Sequence, residues 1–314
     1  VRSVGVAVAA VLSAALLAGC TTGPSQVSAA AIVGDTGISL EYVQGWWDRV
    51  LQDPQLKEQL RANEQFDDLG RVVVREAARH ELLRQVAVRE GLHFDEAQVS
   101  ELISALGGEQ AAVQATQSIY DPNTIRDRAR DQLLAVALGR KYFDTSVTYD
   151  FTVAASRDAA LATARDLAGK QPGEARAAIQ ASARSGQQAG VDQRQSIGDN
   201  VEFVLQSPLF SVPAGNVVAF PNPDQASRGQ WFVVLLRERT TGQPSSQQNS
   251  TSAGEMDEST LEGVGLRLLG PYSRDIGVRL NPRYGVWSHE YLVAASTEGE
   301  IPAIVVPMAP PVAG

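Results

Sequence analysis

Tyr149-Asp150-Phe151-Thr152-Val153 alternates large apolar with polar residues, the period-2 pattern of a half-buried strand. Ser156 follows as a helix cap, and residues 156–168 read as helix. Ahead of this stretch the apolar period is 3.6, so the chain changes character near Val147. Beyond it, Ala175 to Arg184 reads as a second helix and Ser185 to Ser196 as a Gly/Gln-rich stretch. Val201 to Leu205, Asn216 to Phe220 and Trp231 to Leu236 read as strands. Ser207-Pro208-Leu209-Phe210 and Pro213-Ala214-Gly215 form turns between them. Residues 147–239 are thus expected to form a small α+β module.

Working back from Val147, helical signals come in series. Asp121-Pro122 opens a long helix with Ile125, Ala129, Leu133, Leu134 and Leu138 on one side and a mixed-charge face on the other. Asp95 to Leu106 is a helix ended by Gly107-Gly108. Leu69, Val72, Val73, Ala77, Leu83 and Val86 stripe a longer one that stops at Gly91. Leu40 to Gln52 is the first helix, capped by Ser39 and preceded by a short strand and Gly/Asp turn over residues 31–38. Forward from the α+β module, residues 240–254 hold no charge before Gly254 and no large apolar residue, the composition of a linker. Residues 255–276 return to helix, with Leu261, Val264, Leu268 and Leu269 at helical spacing. A single helix must bury that stripe somewhere, and the N-terminal helices are the expected partner. Asn281 to Gly285 is a turn, Val286 to Ala294 a strand, and residues 291–314 a loose Pro/Ala-rich tail.

The first residues carry a targeting pattern. Arg2, an uncharged apolar run from Val4 to Ala18, and Leu17-Ala18-Gly19-Cys20 make a signal peptide over residues 1–19. The run is too short to span a bilayer as a helix, which takes roughly 20 residues. Leu17 to Cys20 resembles a bacterial lipobox, which implies cleavage before Cys20 and lipid attachment to it. Cys20 is the only cysteine, so no internal disulfide competes for it. Residues 20–30 are then a flexible tether, and the expected location is the outer face of the cell membrane, lipid-anchored.

The 314 residues hold 27 Lys+Arg against 36 Asp+Glu, a net charge of −9. That balance argues against a nucleic-acid partner, which needs a basic face. His80, His93 and His289 have no metal-ligand spacing, and the lone cysteine is committed, so neither a metal nor a cofactor is expected. Gly263, Gly265 and Gly270 have the wrong spacing for a nucleotide loop and read as close-packing positions.

The order of parts resembles the SurA/PrsA-type bacterial foldases. Ala31-Ile32-Val33-Gly34-Asp35 through Ile38-Ser39-Leu40-Glu41 is similar to the opening of a SurA-type N-terminal domain, and Gly91-Leu92 before Asp95-Glu96 to its next helix start. Phe151-Thr152-Val153 with Ala159-Ala160, the 207–217 segment and Trp231 to Arg239 resemble a parvulin domain. The resemblance implies an α+β fold: a mainly helical SurA-like domain over residues 31–146 plus 255–290, completed by the C-terminal helix, with a small parvulin-like domain inserted. Parvulins catalyse proline isomerisation with two core histidines, but Asp150 or Phe151 stands at the first position here and Trp231 at the second. No catalytic residue is therefore assigned. The implied function is a chaperone that binds unfolded exported polypeptides without strong catalysis. An active prolyl isomerase and an adaptor for one envelope partner are the alternatives. Candidate client-binding residues are Trp46, Trp47, Phe203, Phe210, Phe220 and Trp231; Trp46 and Trp47 lie ~100° apart on a helix, so both cannot face one core direction.

Overall fold

Ala29–Val33 (β1) is buried at every residue because it is the middle of a three-stranded sheet. Its hairpin partner is Thr36–Ser39 (β2), joined through Gly34 at φ 58°. Its other neighbour comes from far along the chain: Val278–Leu280 (β7) pairs Val33 with Val278 and Ala31 with Leu280, antiparallel. A computed structural model describes residues 28–63, 65–115, 120–122, 124–223, 229–242 and 250–309. Cys20, the signal peptide and most of the tether lie outside the described residues. The end expected for the tether is corrected: Ala29 and Ala30 are buried strand residues.

The helices follow as Leu40–Val50 (α1), Pro54–Ala62 (α2), Phe66–Glu90 (α3), Glu96–Ala105 (α4), Glu109–Ala115 (α5) and Thr124–Lys141 (α6). Ser39 caps α1 by accepting from the Tyr42 amide, and Gly91 ends α3 in the left-handed region at φ 61°. The α3 stripe, Leu69, Val73, Val74, Ala77, Leu82, Leu83 and Val86, is buried in the main core. Glu258–Ile276 (α10) lies against α6 at glycine crossings. A Cβ on Gly265 would sit 1.9 Å from the Ala135 carbonyl oxygen, and one on Gly139 2.2 Å from that of Leu261. Gly270 does the same against Ser211, where a Cβ would meet the carbonyl oxygen at 2.4 Å. These positions therefore set how closely α10 approaches its neighbours.

The larger sheet has five antiparallel strands in the order β10-β5-β6-β3-β4. They are Ser146–Ala154 (β3), Ala189–Ser196 (β4), Asn216–Pro221 (β5), Trp231–Thr240 (β6) and Ile304–Pro307 (β10). Arg157–Ala168 (α7) and Pro172–Arg184 (α8) cover one face, where Val217, Ala219, Val233 and Leu235 pack with Ala160, Ala164, Leu167 and Ile179. Val218, Phe220, Val234 and Leu236 alternate to the other face and join the main core with Phe210, Leu268 and Leu269. The sheet thus has a packed layer on each side, and the fold is α+β.

Several expected elements are corrected. Val201–Gln206 is a helix (α9), because the Asn200 side chain accepts from the Phe203 amide and starts a helical turn despite the apolar alternation. Ser185 to Ser196 contains β4, whose Asp192 amide donates to the buried Asp150 carboxylate at 2.7 Å. The single strand expected over 286–294 is a hairpin of Val286–Ser288 (β8) and Val293–Ala295 (β9). The tail is not loose over its described residues: β10 pairs Val305 with Val218, and the Met308 amide donates to Gly215 at 3.2 Å. The linker is shorter than 240–254, since Thr240 ends β6, the Thr251 amide donates to Gly198 at 3.0 Å, and Ala253–Glu255 forms a 3₁₀ turn.

Candidate functional site

An apolar groove opens between α4 and α6. It has a volume of about 230 Å³ and is walled by Leu102, Ile103, Leu106, Ile125 and Ala129. Sequence and geometry explain it together. Asp95 and Gln98 form a reciprocal capping box that fixes the start of α4, and Arg130 of α6 donates to Glu96 at 2.8 Å. Val99 and Ile103 are buried against Ile125, Ala129 and Leu133. The last turn runs out at Gly107, at φ 88°, and leaves Leu106 53% exposed. Only three large apolar side chains stand out this way among the described residues, Tyr42, Val88 and Leu106, and Leu106 alone lines a groove of this character. Arg128 and Gln132 supply its polar edge.

The six residues expected to bind clients do not converge. Trp46 is 4% exposed, packed between Tyr42 and Tyr120 at ring distances of 6.1 and 5.5 Å, so its expected role is corrected. Phe210 and Phe220 are corrected likewise, because both are fully buried in the core beneath the sheet. Trp47 is half-buried against that core. Trp231 is half-buried on the α7–α8 side of the sheet. Phe203 remains accessible, in a shallow cleft of 440 Å³ that it shares with Phe232, a residue the sequence reading passed over. Phe232 sits next to Trp231 in an alternating strand, and that alternation was the available signal.

The positions where the parvulin resemblance places histidines hold other chemistry. Phe151 meets Phe232 edge-on at 5.6 Å, and Phe220 lies tilted against Phe232 at 5.7 Å. Asp150 is fully buried on the opposite face, with Arg237 Nε 3.4 Å from its Oδ2. His80, on α3, bonds Asp131 of α6 at 2.9 Å, and His289 lies in the β8–β9 turn beside Ser273. His93 lies in the loop between α3 and α4, so none of the three histidines stands on a strand of the five-stranded sheet.

No family model and no curated protein matches the sequence. Among solved structures the chain is similar to the foldase protein PrsA of Lactococcus lactis, at 12% identity and a TM-score of 0.28 over 80% of this chain and 94% of that one. It is also similar to the foldase protein PrsA of Streptococcus pneumoniae, at 12% identity and a TM-score of 0.24 over 76% and 90%. Likeness at this level fixes neither a shared activity nor a shared arrangement of parts.

A second, charged cleft of 320 Å³ lies between α3, α6 and α10. Its groups satisfy one another. Arg79 donates to the Leu292 carbonyl at 2.7 Å, Arg128 to Glu262 at 2.6 Å, and the Tyr120 hydroxyl to Glu76 at 2.8 Å. Burial brings the Arg79 guanidinium down to about 10. Burial alone would raise Glu76, but Arg79, Arg75 and the Tyr120 hydroxyl outweigh it and hold the carboxylate below its ordinary value. This is the chemistry of a polar staple joining three helices, with its donors and acceptors already engaged.

Proposed function

We propose that the protein is a SurA-like chaperone of the cell envelope, anchored through lipid on Cys20 at the outer face of the membrane, that holds unfolded exported polypeptides without strong catalysis. The observation that carries the reading is the α4–α6 groove with Leu106 exposed at its lip. Unfolded chains present apolar side chains, and a groove of this size accepts one or two of them. Each is worth about 1.5–3 kcal/mol on full burial, which corresponds to weak, reversible capture. Binding the unfolded state by mass action limits its aggregation without a nucleotide. In this reading residues 31–146 and 255–290 form the chaperone part, and residues 147–239 form a parvulin-like insert. Supporting a non-catalytic insert are Phe151, Phe220 and Phe232, which form an aromatic cluster on the sheet face.

The test is light scattering from two unrelated aggregating proteins, with increasing amounts of the purified protein and of a Leu106→Asp variant. The expected result is suppression of both clients by the wild type and marked loss of suppression in the variant, with its melting temperature unchanged. Capture of one partner only, with no effect on scattering, would contradict the reading and favour the adaptor.

A further inference from the structure

A cleft of 560 Å³ runs along β10 between α7 and the β8–β9 hairpin. Its α7 wall is built from Arg157, Leu161 and Arg165, which share one helix face at i, i+4 and i+8. The opposite wall is Trp287 with His289, and Val305 of β10 lies along the cleft. Among the described residues neither Arg157 nor Arg165 has a carboxylate within ion-pair distance, although the chain as a whole carries an acidic excess. Arg274, also in the wall, is paired with Glu290, but its buried Nε has no hydrogen-bond partner among the described residues. Glu298, exposed at the rim, is the remaining carboxylate. The wall therefore presents uncommitted guanidinium donors on both sides of an aliphatic centre.

β10 is the edge of the five-stranded sheet. The Met308 amide turns inward to Gly215, so alternation turns the Val305 peptide group outward and places Pro307, which has no amide hydrogen, at the next outward position. The edge offers one backbone bridge and blocks a longer ladder, so specificity must come from side chains. The spacing supplies it. Arg157 and Arg165 are eight helical residues apart, ~12 Å along the axis. In an extended chain, two residues four apart on the same face are ~13 Å apart. The residue midway falls opposite Leu161.

We propose that this cleft receives an extended polypeptide segment with carboxylate side chains four residues apart and an apolar side chain midway between them. The inference rests on the chaperone reading and gives it a preferred client pattern. The carboxylates meet Arg157 and Arg165, the apolar residue meets Leu161, and one main-chain bridge forms at Val305.

The experiment measures anisotropy of three labelled peptides with the full chain: one with aspartates at the third and seventh positions and leucine at the fifth, its lysine counterpart, and one with the two aspartates adjacent. The expected result is a preference of about tenfold for the first peptide over each of the others. Tenfold is about 1.4 kcal/mol, the size of two exposed ion pairs. In an Arg157→Glu/Arg165→Glu variant the lysine peptide becomes the preferred one. Should that variant fail a circular dichroism check, Arg157→Gln/Arg165→Gln is expected to abolish the preference. Equal affinities in the wild type, a preference unchanged in the variants, or no peptide binding at all would each overturn the proposal. Scattering of an aggregating client is recorded on the same samples. Suppression without peptide discrimination removes the cleft proposal and leaves the chaperone reading; loss of both removes both.

Discussion

Single residues tie the helices together, and their titration follows from their partners. Glu90, at the end of α3, accepts from Lys141 at 2.9 Å and from the Tyr142 and Tyr272 hydroxyls. Burial would raise its carboxyl, but Lys141 and the two tyrosines bring it down to about 2. Its contribution is present above the unfolded value of 4.5 and is lost as pH falls towards 2. Glu90→Gln should therefore cost about 1–3 kcal/mol at neutral pH, and urea midpoints of variant and wild type should converge near pH 2. His80 behaves oppositely: its bond to Asp131 raises the imidazole above 6.5, against the effect of burial. The stability it adds is complete below 6.5 and fades as pH rises through the raised folded value. In Asp131→Asn the NMR titration of His80 should fall to 6.5 or below; an unmoved titration would refute the assignment. At this scale the sequence was a partial guide. It showed that Trp46 and Trp47 cannot both face one core direction, but it could not show that Trp46, Phe210 and Phe220 point inward, because a side chain's surroundings depend on the layer packed over it.

Elements divide by how far their signals are local. The α3 stripe, the Ser39 and Asp95 caps and the β3–α7 transition were legible because period and cap chemistry lie within one stretch. β4 and β10 were not, since a polar strand and a short run of Ile304-Val305-Val306 between prolines become strands only beside a partner. The α4–α6 groove was equally hidden: Gly107-Gly108 was readable as a helix stop, but not as the feature that leaves Leu106 at a groove lip. The glycine crossing of α6 and α10 makes a sharp prediction. Gly265→Ala places a methyl against the Ala135 carbonyl, so it should cost at least 1–3 kcal/mol as overpacking, measured by urea unfolding; a neutral effect would contradict the close approach. Truncation after Ala303 removes the Pro307-protected edge and bares β5. Concentration-dependent self-association in ultracentrifugation is expected, and an unchanged monomer–oligomer balance would count against the role given to β10.

For the whole molecule, the return of α10 and β7 to the N-terminal elements encloses the five-stranded sheet between two packed layers. The apolar groove on α4 and α6 and the cationic cleft along β10 lie on different elements of one chain. In the chaperone account they grip one unfolded client at separated points, which raises avidity while each contact stays weak. The most direct measurement follows a client that both aggregates and refolds through a slow proline step, with scattering and native signal recorded together. The uncatalysed step takes tens to hundreds of seconds, so both channels are resolved. The account predicts suppressed scattering with the proline phase unchanged in rate. A proline phase accelerated at sub-stoichiometric protein would contradict it and assign catalysis to the sheet domain.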